Sequence, residues 1–114
     1  MNTYGITVSD QADADIERLL NRLVMVSVEA AAAFQARLEE ALAKLTSLPH
    51  RCPRTRDGDR YPSVIARQIY FGKYRIVFHV IEADADEAEG TVVVLRVLYG
   101  SQSLRLEKSD EEQV

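Results

Sequence analysis

The chain has 114 residues, 46% hydrophobic and 28% charged, with three prolines and five glycines. That is enough for one packed core and too little for two, and the composition excludes a mainly disordered chain. Cys52 is the single cysteine, which excludes an internal disulfide, and beyond the weak exception of His50 it has no thiol or histidine pair at metal-ligand spacing. The formal charge of −4 hides a segregated pattern: residues 50 to 80 hold seven Arg or Lys against two Asp, whereas Glu82 to Glu89 holds five acidic residues and no basic one. A basic face can therefore still meet an anion, because local fields and not the total decide encounter.

Tyr4 to Val8 alternates large and small residues and reads as a first strand. Ser9 or Asp10 then caps a helix in which Ile16, Leu19, Leu20 and Leu23 form one buried stripe, with Asp13, Asp15, Glu17, Arg18 and Arg22 expected outside. Val24-Met25-Val26 is the joint. Ser27 caps a second, longer helix that runs from Ala30 through Phe34, Leu38, Ala41, Leu42, Leu45 and Leu48 and ends at Pro49. Its alanines suit either helix propensity or a thin face that lets a neighbour approach closely. Two such helices form a hairpin that needs a sheet to bury its stripes.

Residues 50 to 62 read as a loop, with Pro53, Pro62, Gly58 and alternating charges, and contain Arg54, Arg56 and Arg60. Such a stretch is either a solvated connection or a binding loop beside the sheet. Ser63 to Phe71 reads as a second strand. After Gly72, residues Tyr74 to Ile81 give the strongest strand signal, placing Tyr74, Ile76, Phe78 and Val80 on one face and Arg75, Val77, His79 and Ile81 on the other. An acidic turn from Glu82 to Gly90 precedes a fourth strand from Thr91 to Tyr99, and Leu104 and Leu106 suggest an end strand or docking turn. The expected architecture is α+β, a helical hairpin on a mainly antiparallel four-stranded sheet. The first strand lies at an edge or beside the last one. Residues 1–106 form the domain, and 107–114 are an acidic, mobile tail.

An arginine on a central strand needs a partner or a ligand, so Arg75 is the leading candidate residue. The alternative is an ion pair with a carboxylate of the Glu82 to Glu89 loop or the tail. Arg67 joins the face of Arg75 and His79 if the turn at Gly72 holds an odd number of residues. That reading is adopted because an arginine against Ile76 and Phe78 would be costly. Arg96 and Tyr99 fall on opposite faces of the fourth strand.

The run Arg67-x-Ile69-x-Phe71-Gly72-Lys73-Tyr74-Arg75-Ile76-Val77-Phe78, followed after the acidic loop by Thr91 to Gly100 and preceded by the strand, the two helices and Leu48-Pro49, resembles the RelE/ParE family of toxins from bacterial toxin–antitoxin modules. The resemblance implies a toxin held inactive by a cognate antitoxin; a cytoplasmic protein is expected because Met1 to Gly5 offers neither a basic nor an apolar leader segment, and no cofactor or metal is expected because nucleophile motifs, glycine-rich phosphate loops and metal-ligand spacings are absent. In RNA-cleaving members the resemblance implies a catalytic or phosphate-binding arginine at Arg75; if the turn is odd, Arg67 and His79 share its face and the three would form a cradle for a phosphate. His79, with an ordinary pKa near working pH, is either the general base for a ribose 2′-hydroxyl or a satisfied structural histidine. Those relatives carry basic residues and a tyrosine after the fourth strand, where this chain reads Gly100-Ser101-Gln102-Ser103-Leu104-Arg105-Leu106. The departure favours the ParE-like side, whose members bind DNA gyrase, over a ribosome-dependent messenger-RNA nuclease or a decayed, non-toxic member. Arg54, Arg56, Arg60, Arg67, Lys73, Arg75 and Arg105 are the expected contacts to a target or nucleic acid. No apolar run approaches the length needed to cross a bilayer.

Overall fold

The computed structural model describes residues 3–107. In chain order it contains β1 (Tyr4–Val8), α1 (Asp10–Val26), α2 (Val28–Lys44), β2 (Arg67–Phe71), β3 (Tyr74–Ile81) and β4 (Gly90–Tyr99). Two short 3-10 turns, Pro49–Arg51 and Arg56–Arg60, lie between α2 and β2. The sheet order is β1-β4-β3-β2, with β1 parallel to β4 and the other pairs antiparallel. This is the expected α+β architecture, and β1 is both at an edge and beside the last strand.

Single serines make the helix junctions. The Ser9 hydroxyl accepts from Ala12 N–H at 3.1 Å, capping α1, and donates to the Leu95 carbonyl at 3.1 Å, so one side chain both starts the helix and fastens it to β4. Ser27 ends α1 with its N–H on the Leu23 carbonyl and caps α2 by accepting from Ala30 N–H at 2.9 Å. The two helices are equal in length, and α2 stops at Lys44, short of the expected Pro49. The Thr46 hydroxyl takes the Ala43 carbonyl, the Thr46 carbonyl accepts from Tyr4 N–H, and Leu48 adopts a left-handed conformation ahead of Pro49. Pairing with β1 thus replaces the last helical turn.

Leu19, Phe34, Leu38, Ala41 and Leu45 pack with Tyr74, Ile76, Phe78 and Val92 as the main core. At about 25 cal/mol per Å² of apolar area removed from water, this layer is the chief source of stability. The opposite face of the sheet is also covered. Val77, Val93, Leu95 and Leu98 bury Val64, Ala66 and Leu104, with Tyr61 and Leu106 at the margin. Ser63 to Ala66, expected to extend the second strand, instead belong to this cover, and Leu104 and Leu106 are a docking segment. The Leu106 N–H donates to the Tyr61 hydroxyl at 3.0 Å.

Asp15 is not on the outside of α1. It is 1% exposed, and it accepts from Arg96 at 2.7 and 2.8 Å, from Val97 N–H at 3.0 Å and from Arg18 at 2.6 Å. Beyond Val94, β4 has no β1 partner, and this carboxylate takes the backbone donor that a strand would have taken.

Candidate functional site

The turn at Gly72 decides which residues share the outer face of the sheet. Phe71 pairs directly with Tyr74, leaving a two-residue loop, and Gly72 has φ 58 while Lys73 does not enter the left-handed region. Glycine first with positive φ is the pattern of a type II′ hairpin turn, whose twist matches the strands. The loop is even, so the expected placement of Arg67 beside Arg75 is wrong. Arg67 pairs with Phe78, Ile69 with Ile76, and the residues facing outward with Arg75 are Gln68 and Tyr70. The feared cost does not arise because β2 is an edge strand. The Arg67 guanidinium leaves the core sideways and donates to the carbonyls of Cys52 at 2.8 Å and His50 at 3.4 Å.

Arg75 is 4% exposed. Its Nη2 donates to Asp57 Oδ2 at 2.7 Å and to the Gln102 carbonyl at 2.6 Å; its Nη1 donates to Thr55 Oγ1 and Gln68 Oε1, each at 2.9 Å, and to Asp57 Oδ1 at 3.2 Å. The ion-pair partner is thus Asp57 of the basic loop and not a carboxylate of the Glu82 to Glu89 segment. Asp57 Oδ2 also accepts from Leu104 N–H at 2.7 Å, and Asp57 Oδ1 accepts from the Thr55 hydroxyl. Burial pushes the Asp57 carboxyl up. Hydrogen bonds from Arg75, Thr55 and Leu104, with the Arg75 charge, outweigh burial and hold it well below the usual carboxylate range. One carboxylate therefore joins the basic loop, the central strand and the segment after β4. Arg75 Nε is buried with no acceptor among the described residues.

The other expected site residues are dispersed. His79 is half-buried and its Nδ1 bonds the Ile65 carbonyl at 2.9 Å, so one ring nitrogen is committed to backbone. Lys73 lies on the helix side, its ammonium 5.9 and 6.0 Å from the ring centroids of Tyr74 and Tyr99. Arg105 and Arg60 are exposed, and Arg96 belongs to Asp15. Arg54 and Arg56 remain beside Arg75, in a polar cleft of about 360 Å³ with Thr55, Asp57, Gln68, Tyr70 and residues 100–103. Thr55, Asp57, Gln68 and Gln102 were not singled out from the sequence. The alternation of arginine with Thr55 and Asp57 is the available sign: Thr55 has extended backbone, Asp57 lies in the 3-10 turn that follows it, and both turn toward Arg75.

Cys52 is half-buried, and burial raises its thiol pKa despite the nearby Arg67 charge. Among the described residues no group of three or more His, Cys, Asp or Glu is placed to hold a metal ion, and no helix is long and apolar enough to cross a membrane.

A helical hairpin on one face of a mostly antiparallel mixed sheet, with a buried arginine clamped by its own chain on the other, defines an α+β fold of hairpin-on-sheet type. The chain belongs to the ParE toxin family of the type II toxin–antitoxin system, parDE, whose family model matches residues 6–104. Among solved structures, a chain described as the chromosomal ParDE TA system from P. aeruginosa is similar in fold, with a TM-score of 0.61 at 14% identity, covering 85% of this chain and 96% of that one. No curated protein matches the sequence.

Proposed function

We propose that this toxin-family chain arrests growth by binding DNA gyrase, without a bond-making site of its own, and is neutralised by a cognate antitoxin. The observation that carries this reading is the state of Arg75. A guanidinium whose Nη donors are taken by Asp57, Thr55, Gln68 and the Gln102 carbonyl has little left to offer a transition state. His79 and Arg67, the other expected members of a nuclease site, point to different places. A general base needs its partners within hydrogen-bond reach, and these residues do not converge.

Antitoxin capture is supported by the helix side. Leu23, Ala30, Ala33, Phe34 and Phe71 line an apolar groove of about 360 Å³, with Arg37 and Lys73 at its rim. The alanines act there as the thin face that permits close approach. An extended or helical antitoxin segment carrying apolar side chains flanked by carboxylates would match it. Expression of the chain in a cytoplasm without antitoxin tests the function. Growth arrest with DNA damage is the expected result; cleaved messages, or normal growth with folded protein present, would overturn it.

A further inference from the structure

Helix α1 carries more apolar residues than the sheet needs. Ala12 and Leu19 are buried in the main core, with Leu23 partly buried beyond them. A second row, Ile16, Leu20 and Val24, recurs every fourth residue, one step around the helix. Ile16 and Leu20 are half-buried, and Val24 is 52% exposed. Ile16 and Leu20 share a groove of about 330 Å³ with Asp13, Glu17 and Asn21 of α1 and Gln35 of α2, lined by the two helices alone. Val28, 71% exposed, and the half-buried Leu42 lie on the side of α2 that carries Gln35, two turns before and two turns after it. At 1.5 Å per residue the row from Ile16 to Val24 runs about 12 Å, room for two turns of another helix.

The rim of this groove is acidic. Asp13 and Glu17 border it on α1, and on α2 Glu39 accepts from Gln35 Nε2 at 3.1 Å. None of these three carboxylates makes an ion pair among the described residues. The cations of the two helices are all engaged elsewhere: Arg18 with Asp15, Arg22 toward Tyr74, Lys44 with Glu40, and Arg37 on the rim of the groove of Phe34 and Phe71. The hairpin therefore carries two apolar grooves whose rims have opposite charge. A segment flanked by carboxylates suits the one edged by Arg37 and Lys73 and is repelled by the one edged by Asp13 and Glu17. A second copy on the outer face would set the same patch against itself, carboxylates facing carboxylates. An anionic lipid surface would meet the same repulsion. An apolar floor with an acidic rim fits a helix whose apolar stripe is flanked by Lys or Arg.

We propose that the outer groove of the helical hairpin docks a basic amphipathic helix of a partner protein, its apolar side chains among Ile16, Leu20, Val24 and Val28 and its cations on Asp13, Glu17 and Glu39. This partner is distinct from the antitoxin, whose proposed groove lies on the opposite side of α2.

The test is fluorescence anisotropy of the full chain with a labelled leucine–lysine peptide of roughly 14 residues, about four helical turns, patterned so that the leucines form one stripe. It should bind, and binding should weaken as salt rises from about 50 mM. Asp13→Asn/Glu17→Gln should weaken it by about 2- to 30-fold, the loss of two rim ion pairs. Val24→Ser/Val28→Ser should weaken it by roughly tenfold or more, as two valines leave the contact. All four side chains are exposed, so both double variants should keep the wild-type circular dichroism spectrum. A leucine–glutamate peptide of the same pattern should bind no more weakly to these variants than to wild type. The site is overturned if the leucine–lysine peptide does not bind at the lower salt, or if both double variants keep the wild-type affinity, for the peptide then sits elsewhere on the acidic surface. It is also overturned if a lysine-only peptide competes as well, or if the leucine–glutamate peptide loses affinity in the same variants, since the rim would then not select the partner. A dimer in sedimentation equilibrium that Val24→Ser/Val28→Ser dissolves would overturn it too, because the groove would belong to a second copy. Neither gyrase nor antitoxin enters these measurements, so their failure leaves the gyrase reading standing.

Discussion

Replacing Asp57 with alanine removes an acceptor used by Arg75, Thr55 and Leu104 and leaves a guanidinium that is only 4% exposed without its counter-charge. Breaking one side of a buried pair costs about 3 to 5 kcal/mol. The Asp57 side chain is 22% exposed, and Arg75 keeps Thr55, Gln68 and the Gln102 carbonyl, which places the cost near the lower end, about 3 kcal/mol. For a domain of this size, thermal unfolding followed by circular dichroism at neutral pH should then show a fall of roughly 15 °C. Asp57→Leu with Arg75→Met removes both charges together and should recover all but about 1 kcal/mol, the residue being the Leu104 N–H left without its acceptor. A fall of less than about 4 °C for Asp57→Ala, close to 1 kcal/mol or below, would refute the clamp. Growth arrest by the double variant supplies the functional arm. A folded, equally stable variant that no longer arrests growth would show that Arg75 meets the target, and the reading of it as structural would fail.

Asp15→Ala should destabilise by about 3 to 5 kcal/mol in urea unfolding, because Arg96 and Val97 N–H both lose a buried acceptor. Since the folded-state pKa of Asp57 lies below its unfolded value near 3.9, its contribution is complete above about pH 5 and lost as pH falls below about 4. Wild type should therefore lose more of its melting temperature between neutral pH and about pH 3 than Asp57→Asn does; parallel losses would contradict this. Gly72→Ala should cost about 1 to 2 kcal/mol from backbone conformation alone, since φ is 58 and the nearest atom to an added Cβ is the Arg37 guanidinium at 3.5 Å. A chemical denaturation curve unchanged by Gly72→Ala would argue against the left-handed turn.

Periodicity was enough to find β1, both helices, β3 and β4 from the sequence, because stripes of Leu, Phe and Val at a spacing of two or near 3.6 can be buried in only one way. The serines capping each helix were legible for a similar local reason, and so was the division of β3 into an apolar face and the face of Arg75. The family's motif spans these same elements, which is why it could be seen in one chain. Three things were set only by the tertiary structure. The parity of the Gly72 turn depends on one backbone conformation, and a change of one residue moves Arg67 to the other face of the sheet. The partners of Arg75 and Arg96 are carboxylates 18 and 81 positions away, a pairing that no local pattern encodes. The cover of residues 61–66 and Leu104 over the outer face arises because Val77, Leu95 and Leu98 must be buried by whatever chain remains. Local spacing determines what a segment becomes; which charges meet is decided only when distant segments compete for the same buried space.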